Sequence, residues 1–191
     1  MDRPDASQQF THDLVTEIRT ISTQAIQDPG RVRVFVMGPS LNDGTPAGIL
    51  RRHIIDRCNE SNLAVIAEHD GIRRAVTQEL GRDEHLTFCE VFMARKSDLI
   101  VIIPGSPGSF AELGYFAFQD DFCSKMTILY DALHQGTQSY ILLGPLRAAE
   151  AARAKIHFID YSLPDAAWNI IHTEVEIIKS QRIMHKLGTR R

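Results

Sequence analysis

The chain has 191 residues, of which 43% are hydrophobic and 24% charged, a balance typical of a soluble globular protein with one good core. Its formal net charge of -3 gives no general reason to expect nucleic-acid binding, and no apolar run approaches the length of a membrane span. The opening residues MDRPDASQQF lack the basic and apolar parts of a secretory signal, so we expect a cytoplasmic protein without membrane contact. The widely spaced cysteines Cys58, Cys89 and Cys123 predict buried thiols instead of a disulfide framework or a zinc site, and we expect no metal or other cofactor.

A polar start precedes an amphipathic segment at the amino terminus. Apolar residues recur there at helical spacing as far as the Asp28-Pro29-Gly30 turn. The pattern predicts an N-terminal helical extension, residues 1–30, laid against the rest of the domain. The residues that carry this stripe are Phe10, Leu14, Ile18, Ile21 and Ala25.

Short apolar runs alternate with segments of helical periodicity along the remainder of the chain. Such runs are typical of strands that are buried on both faces of a parallel sheet. The predicted strands are residues 31–37, 63–67, 99–103, 125–130 and 155–160. The predicted helical segments are 47–59, 72–80, 84–95, part of 138–154, and 164–186, where Pro164 suits a first helical turn.

This alternation predicts an α/β fold, a Rossmann-like five-stranded parallel sheet in the flavodoxin-like order with helices on both faces. We expect a single domain over residues 1–191, with a nucleotide-binding core at 31–160 and a C-terminal helix within 161–191. In such sheets ligands bind beyond the carboxyl ends of the strands, where the strand order reverses. The first and third strands would flank that crevice.

Two glycine-containing loops follow these strands, one beginning at Gly38 and the other spanning residues 104–109. The second joins a buried strand to a helical pattern, and this order of elements favours a phosphate or carboxylate at the helix start. Small residues such as Gly105 and Gly108 let a ligand approach the backbone closely. Neither loop ends in the Gly-Lys-Ser/Thr of a P-loop or has the G-x-G-x-x-G pattern. Nucleoside triphosphate hydrolysis and dinucleotide redox chemistry therefore lose support.

Glu112 follows the second loop, and its position allows two interpretations. Ser109 and Glu112 form an S-x-x-E pattern, in which the serine caps the helix and the glutamate reaches back to the N–H of the cap residue. Alternatively, the carboxylate faces the crevice as a nucleophile or as a stabiliser of a positively charged sugar, as cleavage of a glycosidic bond requires. The two interpretations predict different directions for the side chain.

Two segments carry a resemblance to known families. VFVMGPS at residues 34–40 and AELGYFA at 111–117 resemble the opening strand and the E-L-G-Y-A segment of nucleoside 2-deoxyribosyltransferases. PGSPGSFAE at 104–112 is similar to the P-G-G-x-G-T-x-x-E motif of the Lonely Guy phosphoribohydrolases and the wider SLOG-type group of nucleotide-binding proteins. With the predicted strand order, the resemblance covers roughly residues 31–160.

The resemblance implies roles for residues of both loops. Glu112 corresponds to the glutamate that attacks the anomeric carbon in the transferases, and Glu90 stands near the place of their aspartate, where it would hold sugar hydroxyls or move a proton. Tyr115 would line the pocket, although an aromatic residue at this place is more often part of the core. The expected substrate-binding residues are Gly38, Pro39, Ser40, Asp43, His69, Asp70, Gly105, Ser106, Gly108, Ser109 and Tyr115.

The resulting prediction is an N-glycosidase or deoxyribosyltransferase-like enzyme that cleaves the N-glycosidic bond of a nucleoside, a nucleotide or an NAD-like dinucleotide. Proteins that resemble it in these motifs include bacterial defence effectors, among them retron-associated ones. The alternative is a non-catalytic nucleotide sensor whose helix 164–186 signals to a protein partner. The apolar faces of that helix and of the N-terminal segment also favour a homo-oligomer.

Overall fold

A five-stranded sheet lies at the centre of the computed structural model, which describes residues 31–67 and 86–188. All neighbouring strands pair in parallel, in the order β2-β1-β3-β4-β5. This arrangement confirms the predicted Rossmann-like fold and its flavodoxin-like order, and the strand ends lie within two residues of the predicted ones. The strands are β1 (Arg33–Met37), β2 (Leu63–Val65), β3 (Leu99–Ile102), β4 (Met126–Asp131) and β5 (Lys155–Ile159).

Helices connect the strands. The described helices are α1 (Pro46–Asn59), α2 (Leu86–Lys96), α3 (Pro107–Phe116), α4 (Asp120–Cys123), α5 (Arg147–Ala151) and α6 (Pro164–Gly188). A 3₁₀ turn (Ala132–His134) and a π-helical segment (Leu142–Leu146) lie between β4 and α5. Pro145 lies inside the π-helical segment, and because proline has no N–H it cannot complete a regular α-helical ladder there. The predicted N-terminal extension and the predicted helix 72–80 lie outside the described residues.

The strands are buried on both faces because successive side chains point to opposite sides of the sheet. Phe35 and Ile100 belong to a core shared with α2 to α5, whereas Val34 and Val101 belong to a second core shared with α1 and α6. The unbroken apolar runs of the sequence follow from this two-sided burial. The three cysteines are buried thiols, as predicted. Within the part of the chain that the structure describes, no helix is long and apolar enough to cross a membrane.

The amino end of the sheet is held by an ion cluster around Asp98. Its carboxylate accepts a hydrogen bond from the backbone N–H of Arg33 at 2.8 Å and lies 3.1 Å from the guanidinium of the same residue. Arg182 of α6 approaches the same carboxylate at 2.6 Å and donates to the carbonyl of Arg31 at 2.7 Å. Burial raises the pKa of Asp98, but the hydrogen bonds from the two arginines outweigh burial and leave that pKa below its ordinary value. The cluster therefore ties the last helix to the first strand.

The carboxyl-terminal half of α6 presents apolar side chains to solvent. Trp168, Ile171 and Val175, in its first half, are buried in the core, whereas Met184 and Leu187 are exposed. An exposed apolar face of this kind is the feature on which the prediction of a homo-oligomer rests. That assembly stays a prediction.

Candidate active site

The carboxyl ends of β1 and β3 lie side by side at the point where the strand order reverses. Met37 pairs with Ile102, and the backbone N–H of Ile103 donates to the carbonyl of Met37 at 3.0 Å. From here the chain passes to α1 on one face of the sheet and to α3 on the other. We call residues 38–45 the β1 loop and residues 103–106 the β3 loop. Because they diverge to opposite faces, they leave the crevice in which parallel α/β proteins bind ligands.

The β1 loop is a tight turn held by its own polar groups. The N–H of Asp43 donates to the carbonyl of Ser40 at 2.9 Å, and the carboxylate of Asp43 accepts from the N–H of Thr45 at 2.8 Å. Thr45 in turn caps α1 by accepting from the N–H of Gly48. One oxygen of Asp43, a predicted substrate-binding residue, thus stabilises the turn, while Ser40 is exposed.

Arg51 of α1 shapes the beginning of this loop from beneath. Its guanidinium is buried, with only 1% of the residue exposed, and it donates to the backbone carbonyls of Val36 at 2.9 Å, Gly38 at 3.1 Å and Pro39 at 2.7 Å. Hydrogen bonds from an ionised donor are stronger than neutral ones and fix direction. The arginine therefore sets the path of the chain as it leaves β1.

Arg52 acts on the second part of the loop. It donates to the carbonyls of Leu41 and Asp43, the latter at 2.8 Å. The sequence interpretation missed both arginines because it considered only the apolar residues of this helix. The sequence does contain a signal for Arg51, because this residue falls on the helix face of Leu50, Ile54 and Cys58. A charged side chain on a buried face needs hydrogen-bond partners inside the protein.

Close packing explains two of the glycines. A Cβ added to Gly105 would lie 2.3 Å from the Cβ of Ala47, and one added to Gly38 would lie 3.0 Å from the carbonyl oxygen of Ile103. These positions require glycine because the loops pack against each other and against α1. This packing is a structural reason for the two glycines, in addition to the predicted close approach of a ligand. Gly108 differs, since it is exposed and the nearest atom to an added Cβ is 3.9 Å away. It remains accessible to a ligand.

Two serine hydroxyls accept hydrogen bonds from backbone N–H groups of the β3 loop and the start of α3. Ser106 caps α3 and its hydroxyl accepts from the N–H of Ser109 at 3.2 Å. The hydroxyl of Ser109 accepts from the N–H of Gly105 at 2.9 Å and from that of Ser106 at 2.8 Å. The predicted capping box of Ser109 with Glu112 is therefore wrong. The box joins Ser106 and Ser109, because Pro107 occupies the first helical position, which its fixed φ favours.

The correction moves Glu112 from the first turn of the helix into the second. Its side chain is half-buried, with the Oε2 atom shielded from solvent. Glu90 is 6% exposed and lies on α2, a helix that covers the same face of the sheet as α3. The two carboxylates predicted to be catalytic thus lie on helices of the same layer, which covers one face of the sheet.

The remaining predicted residues divide into two groups. Tyr115 is 45% exposed, and its ring packs edge-on against that of Phe116 with 5.3 Å between the ring centroids. It therefore lies on the surface of α3 and not in the core. His69 and Asp70, predicted to recognise a ribose, lie outside the described residues. Among the described residues, no three His, Cys, Asp or Glu side chains come together as metal ligands do.

Tyr161 is a further residue that the sequence interpretation missed. It is buried, and its hydroxyl lies 2.8 Å from the carbonyl oxygens of both Pro104 and Leu129, to which it donates. Burial raises the pKa of this phenol, so the proton needed for donation is retained throughout the physiological range. Tyr161 thus ties the β3 loop to the end of β4. A lone tyrosine after a predicted strand carries no sequence signal for this contact.

The fold and this crevice define a parallel α/β protein with a polar, carboxylate-bearing site at the switch point of its sheet. The chain belongs to the STM3845 retron effector protein family, whose model matches residues 49–189. This membership confirms the expected link with retron-associated effectors. The closer resemblance to deoxyribosyltransferases, phosphoribohydrolases and the SLOG-type group stays a prediction.

Two curated proteins of Escherichia coli are similar to this chain. One is named "Retron Ec73 putative ribosyltransferase/DNA-binding protein" and is 27% identical over 158 residues, which cover 78% of this chain and 49% of the relative. Its counterpart from retron Ec86 carries the same description and is 34% identical over 76 residues, 39% of this chain and 25% of the relative. The chain thus spans about half the length of the first relative and a quarter of the second. The words "DNA-binding" in both names conflict in part with the expectation of no direct nucleic-acid contact.

Proposed function

We propose that the chain cleaves the N-glycosidic bond of a nucleoside, a nucleotide or an NAD-like dinucleotide, with Glu112 as the reacting carboxylate. The observation that carries this proposal is the position of Glu112 outside the helix cap. Ser106 and Ser109 complete the capping box without it. The two serines thus fill the capping role that the sequence offered for Glu112, and the alternative chemical role of this carboxylate gains weight.

The proposed reaction has two steps. In the first, the Glu112 carboxylate attacks the anomeric carbon and a bond forms between them, while the bond from that carbon to the base nitrogen breaks and the base leaves with the electron pair. In the second, water or another base attacks the same carbon and releases the carboxylate, and the proton that water loses passes to Glu90. A neutral base needs a proton as it leaves, which Glu90 would supply, whereas nicotinamide leaves NAD as a neutral molecule without one.

The loops would hold the substrate around this carboxylate. Ser40, on the β1 loop, and Gly108, at the start of α3, are exposed at the carboxyl edge and would contact the sugar or a phosphate. The names of both retron relatives contain the word "ribosyltransferase", which supports transfer or hydrolysis at a ribose carbon as the class of reaction. Whether the reaction is hydrolysis or transfer must be determined by experiment.

The test is to incubate the purified protein with nucleosides, nucleoside monophosphates and NAD, and to measure released base or nicotinamide by chromatography. Glu112→Gln keeps the size of the side chain but removes its charge, so we expect release to fall by at least about 1,000-fold while ligand binding persists. Glu150→Gln is the matched control, because Glu150 is exposed on α5. We expect this control to retain the activity of the parent.

Release by Glu112→Gln at the parent rate would refute the assigned nucleophile. Ligand binding by the parent without turnover of any tested substrate would refute the enzyme proposal and support the sensor. Calorimetry with the same ligands separates these outcomes, because it detects binding independently of cleavage.

A further inference from the structure

We propose that Arg51 and Arg52 are positioning residues of the site, which preform the β1 loop so that it presents the backbone N–H groups of Ser40 and Gly44 to the substrate. This inference rests on the proposed function for the identity of the substrate, but not for the shape of the loop. Neither arginine needs to touch the substrate for this role.

The two arginines divide the loop between them. Arg51 binds the carbonyls of Val36, Gly38 and Pro39 at 2.7–3.1 Å, and Arg52 binds those of Leu41 and Asp43. Within the loop, the carbonyl groups of Gly38, Pro39, Leu41 and Asp43 therefore turn inward to the start of α1. Neighbouring residues of one helix thus organise the segment that immediately precedes that helix.

The direction of the carbonyls fixes the direction of the N–H groups. In a trans peptide the C=O and N–H point to opposite sides, and the described backbone contains no cis peptide bond. The inward carbonyls of Pro39 and Asp43 consequently turn the N–H groups of Ser40 and Gly44 away from the arginines. Both of these residues are exposed, so their N–H groups face outward at the carboxyl edge.

The fit of Arg51 leaves little freedom for another side chain. A Cβ on Gly38 would lie 3.1 Å from Cδ of Arg51, so the loop rests directly on the arginine stem. Nη1 serves Gly38 and Pro39 while Nη2 serves Val36, which requires the planar fork of a guanidinium. Lysine preserves the charge but offers a single ammonium group, and it cannot bind all three carbonyls in the same geometry.

The experiment compares Arg51→Lys and Arg52→Met with the parent. Arg57→Met is the control, since Arg57 lies on the same helix but pairs with Glu60 at the other end of it. Two quantities are measured: hydrogen exchange of the amides in residues 38–45 by mass spectrometry, and kcat and KM for whichever of AMP and NAD the parent cleaves. For Arg51→Lys we expect loop exchange about tenfold faster and KM about tenfold higher, with kcat changed less than about threefold. Smaller changes in the same direction are expected for Arg52→Met.

The outcomes are distinguishable. Unchanged loop exchange in both variants overturns the proposal, as does a fall in kcat at constant KM, which would indicate a role in the chemical step. If the parent cleaves neither AMP nor NAD, the proposed function is decided by the other nucleosides and nucleotides of its own test, and loop exchange together with AMP affinity by calorimetry still decides the positioning role. If Arg51→Lys does not fold, Arg52→Met decides, because its side chain is only half-buried and its loss leaves the core intact.

Discussion

The two ends of the sheet satisfy their charges in different ways. At the amino end, the guanidinium groups of Arg33 and Arg182 both pair with the carboxylate of Asp98, side chain to side chain. At the carboxyl end, Arg51 and Arg52 give their hydrogen bonds to the backbone of a loop. The first arrangement joins strands and a helix, and the second fixes the shape of a segment that faces solvent. The amino end therefore contributes stability, whereas the carboxyl end contributes a loop of fixed shape, which we propose as a binding surface.

The carboxyl end is the more sensitive of the two to added volume. Gly105→Ala would place a methyl group 2.3 Å from the Cβ of Ala47, so the β3 loop must move away from α1. We expect a loss of about 3 kcal/mol in the free energy of unfolding, measured by urea denaturation, together with weaker substrate binding.

Gly114→Ala is the control for this substitution, because an added Cβ there meets nothing within 4 Å and Gly114 lies inside α3. It should gain about 0.5–1 kcal/mol from helix propensity. Equal stability of the two variants would contradict the close packing of the loops.

The amino end should respond to charge and to pH. Asp98→Asn keeps an acceptor for the N–H of Arg33 but removes the charge shared with Arg182, and we expect a loss of about 2 kcal/mol at pH 7. Because the pKa of Asp98 is lowered in the folded state, its stabilisation is complete above the unfolded value of about 3.9 and is lost as the pH falls through the folded value. The stability difference between parent and variant should therefore begin to shrink as the pH falls below about 4 and should vanish only below the folded-state pKa of Asp98.

Urea denaturation at several pH values measures this effect, and Asp56→Asn, an exposed carboxylate on α1, serves as the control. Activity per folded molecule should not change in Asp98→Asn. A large loss of activity at constant stability would contradict the division of roles between the two ends.

The smallest effect is expected for Tyr161→Phe. This variant removes the hydroxyl that lies 2.8 Å from the carbonyls of Pro104 and Leu129 and keeps the buried ring. Loss of this buried hydrogen bond should cost about 1 kcal/mol in thermal or urea unfolding. The β3 loop should also exchange its amide hydrogens faster, whereas exchange in the β1 loop should stay constant. A change in both loops would show that they are coupled.

The strands and their order were predictable because two-sided burial leaves a direct trace in the sequence. Runs such as Leu99 to Ile103 have no polar residue to assign to a solvent face, and alternation with helices leaves few topologies. The location of the crevice followed from that order. The ends of the strands shifted by up to two residues, as expected where the last residues depend on loop contacts, and α4 and the 3₁₀ turn were not predicted.

The details of the site were less predictable. Both Ser106 and Ser109 suit a helix cap, and the S-x-x-E spacing favoured Ser109, whereas Pro107 at the first helical position decides for Ser106. Arg51 and Tyr161 were missed because their partners are backbone carbonyls of distant or neighbouring loops. Carbonyl groups are present at every residue, so the sequence does not indicate which of them a buried side chain will bind.

The serine pair of the β3 loop has a consequence for selectivity. The N–H groups of Gly105 and Ser106 already hold the hydroxyl of Ser109, so a ligand oxygen that reaches them must displace this hydroxyl. A neutral sugar hydroxyl would form hydrogen bonds similar to those of the Ser109 hydroxyl, so the exchange would contribute little binding free energy. A charged oxygen forms hydrogen bonds about twice as strong and would displace the hydroxyl. We therefore expect a phosphorylated ligand to bind at the β3 loop more tightly than its uncharged counterpart.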